Sequence, residues 1–288
     1  MCLHPNAGAG VCNKVISAHS IQRSSVLERI VDSSNHVLSF YPPSLDTAGR
    51  LKIQPVGWRE ASTFTGFCAK HDSLVFHPLE REEFRGTERQ TFLAGYRALC
   101  HELFQRSASL RSGRVMDDFL HAGRADRIQA LAIKFHDSFN ASVEAGLEQL
   151  RECKRSADEH LLNEEYSAFS SMVITFSGEL CIASTGAVSP HQDFAGAELQ
   201  SLQNLEERIQ GLFCTTLTTK DGGAVVFSWP RTSAGPKFVS SLITKSGDDL
   251  ASFFGAVLFY VCGKHVLFAF LVEIAVGPSA SAAGVFSE

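Results

Sequence analysis

Cys12 and His19 stand with six residues between them in "CNKVISAHSI", and Cys68 and His71 stand with two between them in "GFCAKHD". Cys2 and His4 lie just upstream. Thiolates and imidazoles are the ligands zinc prefers, and a structural zinc ion takes four of them in a tetrahedron. A Cys-x2-His spacing lets both side chains reach one ion from a tight turn or from the start of a helix, so Cys68 and His71 supply half a site. Two sets can complete it. Cys2, Cys12, Cys68 and His71 close a Cys3His site and leave His19 outside. Cys12, His19, Cys68 and His71 close a Cys2His2 site that consumes it, and His4 is a weaker substitute for Cys2.

The elements that must position these groups follow from periodicity. "HSIQRSSVLERIVDSS" has the apolar spacing of a short amphipathic helix at Ile21, Val26, Leu27 and Ile30. "NHVLSFYP" reads as a strand ending at Pro42 and Pro43, and "LDTAGRLKIQPVGW" as a turn at Ala48 and Gly49 followed by another strand. Residues 1–80 form a small polar module with few residues from which to build its own core, and there a metal ion is physically useful.

The region 81–166 changes to helical spacing. Phe92, Tyr96, Leu99 and Leu103, then Ile128, Leu131, Phe135, Phe139, Val143, Leu147 and Leu150, predict two antiparallel helices, with "SLRSGRVM" (Ser109 to Met116) as the connection. In 167–288, "SMVITFSGELCIAS", "GLFCTTLTT", "GGAVVFSW", "FVSSLIT" and "HVLFAFLVE" predict strands of an antiparallel sheet. Asp221-Gly222-Gly223 predicts a hairpin turn, and "AELQSLQNLEERIQGLF", near 197–213, predicts one helix. The expected class is α+β: a zinc-bound treble-clef-like module, a helical hairpin, and a mostly antiparallel sheet domain with a helix.

On the residues of "CNKVISAHSI" and "GFCAKHD", the segment 1–80 resembles the HNH, or ββα-metal, endonucleases, many of which carry a zinc-stabilised treble-clef core. The resemblance implies phosphodiester hydrolysis with His19 as the general base, zinc as a structural ion, and Mg2+ or Mn2+ as the catalytic one. Asp72 could offer that second ion an oxygen, and Arg23, Arg59 and Lys70 are available for phosphate contacts. Ala18 stands where the family commonly places an acidic residue or a second histidine. The alternative expectation is a non-enzymatic interaction or regulatory module whose zinc is purely structural, with a protein partner of unknown kind.

The remaining composition narrows the choice. A net charge of -5 provides no global basic field, so any contact with nucleic acid is local. Eight cysteines in 288 residues are too sparse for a disulfide scaffold. No basic-then-apolar leader follows Met1, and Lys264 and His265 interrupt the long apolar run Leu250 to Val276, so the chain is expected to be cytoplasmic and without a membrane span. No phosphate-binding glycine loop occurs.

Other polar groupings have ordinary explanations. Arg97 and His101 are too close in sequence for the R-x4-6-H motif of HEPN ribonucleases and are expected on a solvated helical face. His191 and Asp193 suit a binding pair in a loop as well as a turn and helix start, and Trp229 is expected in the core, with recognition as the alternative.

Overall fold

The computed structural model describes residues 2–22, 26–39, 47–48, 50, 52–121, 127–178, 182–201, 208–231, 235–243, 266–268 and 285–286. Ten strands and five helices occur among them: β1 (Val15–His19), α1 (Glu28–Ile30), β2 (His36–Ser39), β3 (Gln54–Gly57), β4 (Thr63–Cys68), α2 (Ala69–Glu80), α3 (Glu88–His121), α4 (Arg127–Leu162), β5 (Phe169–Ser177), β6 (Ile182–Val188), β7 (Leu212–Thr219), β8 (Gly222–Pro230), α5 (Gly235–Ile243), β9 (Val266–Phe268) and β10 (Val285–Phe286). Mixed helix and antiparallel sheet is the α+β class. β1 and β4 pair as a two-stranded sheet; the other strands form one sheet in the order β10-β5-β8-β7-β6-β9-β2-β3.

The large sheet is built on period-two alternation. Phe213 and Leu217 of β7 and Val226 of β8 face a core shared with α3, whereas Leu212, Cys214, Val225, Phe227 and Trp229 face the other side. There α5 covers them with Phe238, Val239 and Leu242. The first half of α3 is buried between the sheet and α2, with Phe92, Tyr96 and Leu99 at its centre. Close approach requires Gly95, because a Cβ there would lie 2.8 Å from Ser228 Cβ.

Several expectations are corrected. Residues 109–116 do not connect two helices; they are the middle of α3. Gly113 is buried against Asn140 of α4, so the glycine serves helix-to-helix contact rather than a turn. Gly146 lies within α4 beneath the Arg106 guanidinium. "FVSSLIT" is not a strand: its residues through Ile243 belong to α5, because Phe238, Val239 and Leu242 share one helical face over Trp229.

The helix expected over 197–213 does not extend to its described ends. Residues 197–201 and 208–211 are irregular, and Leu212 and Phe213 already belong to β7. Gln200 ties the loop together, its Nε2 donating to the Gln210 and Pro190 carbonyls at 2.8 Å and its Oε1 accepting from Gln210 N at 2.7 Å. The expected turn at Asp221-Gly222-Gly223 sits one residue earlier, at Lys220 and Asp221, because Gly222 pairs with Thr219.

β2 and β3 belong to the large sheet, β2 pairing with β9, so strand pairing runs across the boundaries drawn at 80 and 166. The expected end of the first strand at Pro42 and Pro43, Gly49 of the expected turn, and most of Leu250 to Val276 lie outside the described residues. No helix among the described residues is long and apolar enough to cross a membrane.

Candidate metal centre and adjoining cleft

β1, β4 and α2 follow one another as hairpin and helix, although about forty residues of chain separate the two strands. β4 runs directly into α2, so Cys68 is the extended residue that caps the helix and His71 lies in its first turn. A thiol at the capping position cannot serve as an ordinary cap. Asn13 takes over that task from a distance, its Oδ1 accepting from Lys70 N at 3.0 Å.

The N-terminal segment delivers the other two thiols. Leu3 N donates to the Gly66 carbonyl at 2.8 Å, holding residues 2–3 along β4. Gly66 permits this, because a Cβ there would strike the Phe64 ring and approach Leu3. The chain then turns through Gly8 to Gly10, where Gly10 has φ +82°, and Cys12 N donates back to the Gly8 carbonyl at 3.1 Å.

Cys2, Cys12, Cys68 and His71 are thereby brought together, all four ligand atoms lying within 4.8 Å of one another. The sulfurs of Cys2, Cys12 and Cys68 lie 3.4, 3.5 and 3.3 Å from His71 Nδ1. A single imidazole nitrogen cannot hydrogen-bond to three sulfurs at once. Zinc-ligand bonds of ordinary length, set at tetrahedral angles, put sulfur and nitrogen about 3.6 Å apart. The residues therefore fit a four-coordinate, closed zinc site with His71 as an Nδ1 ligand.

The thiols differ in their surroundings. Burial pushes the Cys2 thiol up, although the backbone N–H groups nearby oppose it. Burial also works against the Cys68 thiolate, but the backbone N–H of His71 and the Asn13 region outweigh it and draw Cys68 down. Cys68 is thus better prepared than Cys2 to lose its proton.

His4 is not a member of the four. Its ring stacks on His71, with centroids 3.9 Å apart and planes 6° from parallel, and its Nδ1 accepts from Asn6 N at 3.1 Å. Burial, with His71 and Lys154 adding to the effect, pushes His4 down to about 4. It is a neutral, apolar-faced wall of the cluster. Lys154 and Asp158, which sequence reasoning passed over, form a buried pair at 2.7 Å behind it, and Tyr96 OH donates to Asp158 at 2.7 Å. Their signal was a Lys and an Asp at helical i,i+4 spacing on the inward face of α4.

His19 is also outside the four ligands. It ends β1, and its Nδ1 lies 3.1 Å from the Ala61 carbonyl oxygen. A carbonyl can only accept, so Nδ1 carries the proton and Nε2 is the basic nitrogen of the neutral ring. His19 lines a cleft of about 280 Å³ together with Ser17, Gln22, Asp72, Glu80 and Arg81. Asp72, next in sequence to His71, is pushed up to about 6 by burial, with Arg97 opposing and Glu80 reinforcing the rise. Glu80 accepts from Arg97 Nη2 at 2.7 Å.

The expected solvated face of Arg97 and His101 is corrected by the same packing. Arg97 is buried, over the Phe76 ring as well as against Glu80, and His101 is buried against Phe64. α3 is enclosed on this side, so its polar residues become internal supports. His191 and Asp193 occupy a loop, where Asp193 Oδ1 accepts from Ala195 N and Ala197 N at 2.8 Å and His191 Nδ1 lies 2.7 Å from the Gln200 carbonyl oxygen. Trp229 is buried in the sheet core.

Comparison of the chain with family models, with curated proteins and with solved structures finds no match.

Proposed function

We propose that the N-terminal hairpin and helix form a zinc-stabilised, treble-clef-like ββα module that hydrolyses phosphodiester bonds in nucleic acid, with His19 as general base. The observation that carries this reading is the separation of two chemistries on one small scaffold. Four ligands satisfy zinc without His19, and His19 instead lines a cleft with carboxylates contributed by α2.

In this reading zinc is structural. A divalent ion such as Mg2+ or Mn2+, held with Asp72 as its protein ligand, would supply Lewis-acid stabilisation of the charge that develops on the scissile phosphate. The Ala61 carbonyl orients His19 so that Nε2 can take a proton from water. Arg81 lies in the same cleft and suits a backbone phosphate. Arg97 holds Glu80 by a buried ion pair, which keeps one wall of the cleft in place.

The test combines metal content with cleavage. Protein purified without chelator should carry about one zinc per chain, and it should cut DNA or RNA only when Mg2+ or Mn2+ is added. His19→Ala should lose at least a hundredfold in rate, the scale of a general base, while retaining zinc and melting temperature. Cleavage at the wild-type rate in that variant rejects His19 as the base. Absence of cleavage on any nucleic acid, with zinc present, leaves the non-enzymatic reading: a structural zinc module serving a protein partner.

A further inference from the structure

The far half of the helical hairpin is unlike the near half. His136 and Asn140 of α4 turn toward α3, His136 Nε2 lying 3.0 Å from the Gly113 carbonyl oxygen and 2.8 Å from Asp117. Phe135 and Phe139 each precede one of these by a single residue, so they point about 100° away around the helix. Ile128, Leu131, Phe135 and Phe139 are 78, 62, 75 and 46% exposed, and successive steps of three, four and four residues place them on one stripe. Met116 of α3, 47% exposed, falls on the same side of the hairpin by the same helical geometry.

Side chains of these types have full accessible areas of about 170–240 Å². Their exposed fractions amount to roughly 650 Å² of apolar surface per chain, near the ~800 Å² per partner of a stable interface. Scattered exposed leucines need no explanation, but a continuous stripe of this size does.

We infer that this stripe is the interface of a two-fold homodimer, in which α4 pairs antiparallel with α4 of a second copy. Size complementarity identifies the occupant. Positions spaced as a heptad seam carry large side chains in the first half of the stripe, Ile128, Leu131 and Phe135, and small ones in the second, Ser138, Ser142 and Ala145. Antiparallel self-pairing sets Phe135 against the partner's Ser138, Leu131 against the partner's Ser142 and Ile128 against the partner's Ala145. Parallel pairing would set large on large and leave gaps between the small. The same register brings Arg127 within two positions of the partner's Glu148 at the flank; in one chain Glu148 pairs with Arg151 and Arg155.

Beyond Ser142 the stripe runs into a groove of about 300 Å³ lined also by Arg106, Gly146, Leu150 and Arg208. Because a two-fold interface uses the same patch twice, no second surface is required. The total buried, about 1,300 Å², lies within the class of specific interfaces.

The test is the mass of the full chain in solution at roughly 50 µM, by light scattering after gel filtration, since interfaces of this size extend to micromolar affinity. The wild type should weigh about twice the 31.4 kDa chain. Phe135→Asp and Ser142→Arg should each weigh one chain while keeping the wild-type circular dichroism spectrum and a cooperative melt, because both positions are exposed in the single chain. The serine variant removes no apolar surface, so it separates self-pairing from general stickiness. Leu74→Asp, a change at an exposed leucine of α2, should remain dimeric. A monomeric wild type, or a dimer that survives either α4 substitution, overturns the inference.

Discussion

The two antiparallel sheets of this protein are held by different forces. The larger places Met172, Leu212, Val225, Phe227 and Trp229 on one face beneath α5, and Phe169, Phe213 and Val226 on the other beneath α3. β5, β7 and β8 gain stability from apolar burial on both sides. The β1–β4 pair has only two strands, and an isolated pair of strands is marginal in water. Its other supports are α2, the side of α3 against which Phe64 packs, and the convergence of four ligand groups from three places in the chain. A sheet with a core on both faces needs no ion, whereas the proposed zinc would add to the support of the smaller sheet.

That contrast can be broken most severely at the ligands. Cys68→Ser should abolish zinc binding and expose the β1–β4 pair and the segments beside it, 2–22 and 60–80, to limited proteolysis, because a structural zinc site contributes on the order of 10 kcal/mol, comparable with the stability of a whole domain. Prolonged chelation of the wild type should produce the same cleavage pattern. If zinc-free protein resists protease as well as the loaded form does, the hairpin does not depend on the ion.

Next in size is Trp229→Ala, which empties the space beneath α5 and should cost about 3–5 kcal/mol with zinc content unchanged. Denaturant unfolding and elemental analysis of the same sample decide whether the two regions are independent in this sense. A smaller effect is expected from Gly95→Ala. The added methyl meets Ser228 at 2.8 Å where α3 crosses β8, and the overpacking should cost about 1–3 kcal/mol despite the better helix propensity of alanine. A melting temperature equal to or above wild type would show that α3 can back away from the sheet.

The smallest change expected is the stability effect of His19→Ala. It removes one hydrogen bond to the Ala61 carbonyl and should alter stability by about 1 kcal/mol or less, with one zinc per chain retained. Loss of zinc from this variant would place His19 among the supports of the metal centre and bring the two regions closer in kind.

The zinc cluster and the sheet were also unequally legible. The alternating apolar runs of β7 and β8 were visible because their period is local. "FVSSLIT" misleads for the same reason: Phe238, Val239 and Leu242 suit a strand by composition, but in the fold they form one helical face that covers Trp229. Ser109 to Met116 looked like a connection because it is polar and contains a glycine. On a hairpin projecting from the core, polar residues face water on most sides and the glycine faces Asn140. At 197–201 and 208–213 the helical spacing gave way to the paired hydrogen bonds of Gln200 and to the place of Leu212 and Phe213 in β7.

By itself the sequence determined the chemical types at the centre and the local geometry of Cys68-x2-His71, since three residues at a strand-to-helix junction leave little freedom. It also determined that antiparallel strands and long helices would coexist. Only the tertiary structure decided which of Cys2, His4 and His19 joins Cys12. The thiol of Cys2 reaches His71 across 69 positions of chain because Leu3 docks on Gly66, while β1 carries His19 to the Ala61 carbonyl and into the neighbouring cleft. Contacts so distant in sequence leave no periodicity to read, and they form only where strand pairing and close packing bring the segments together.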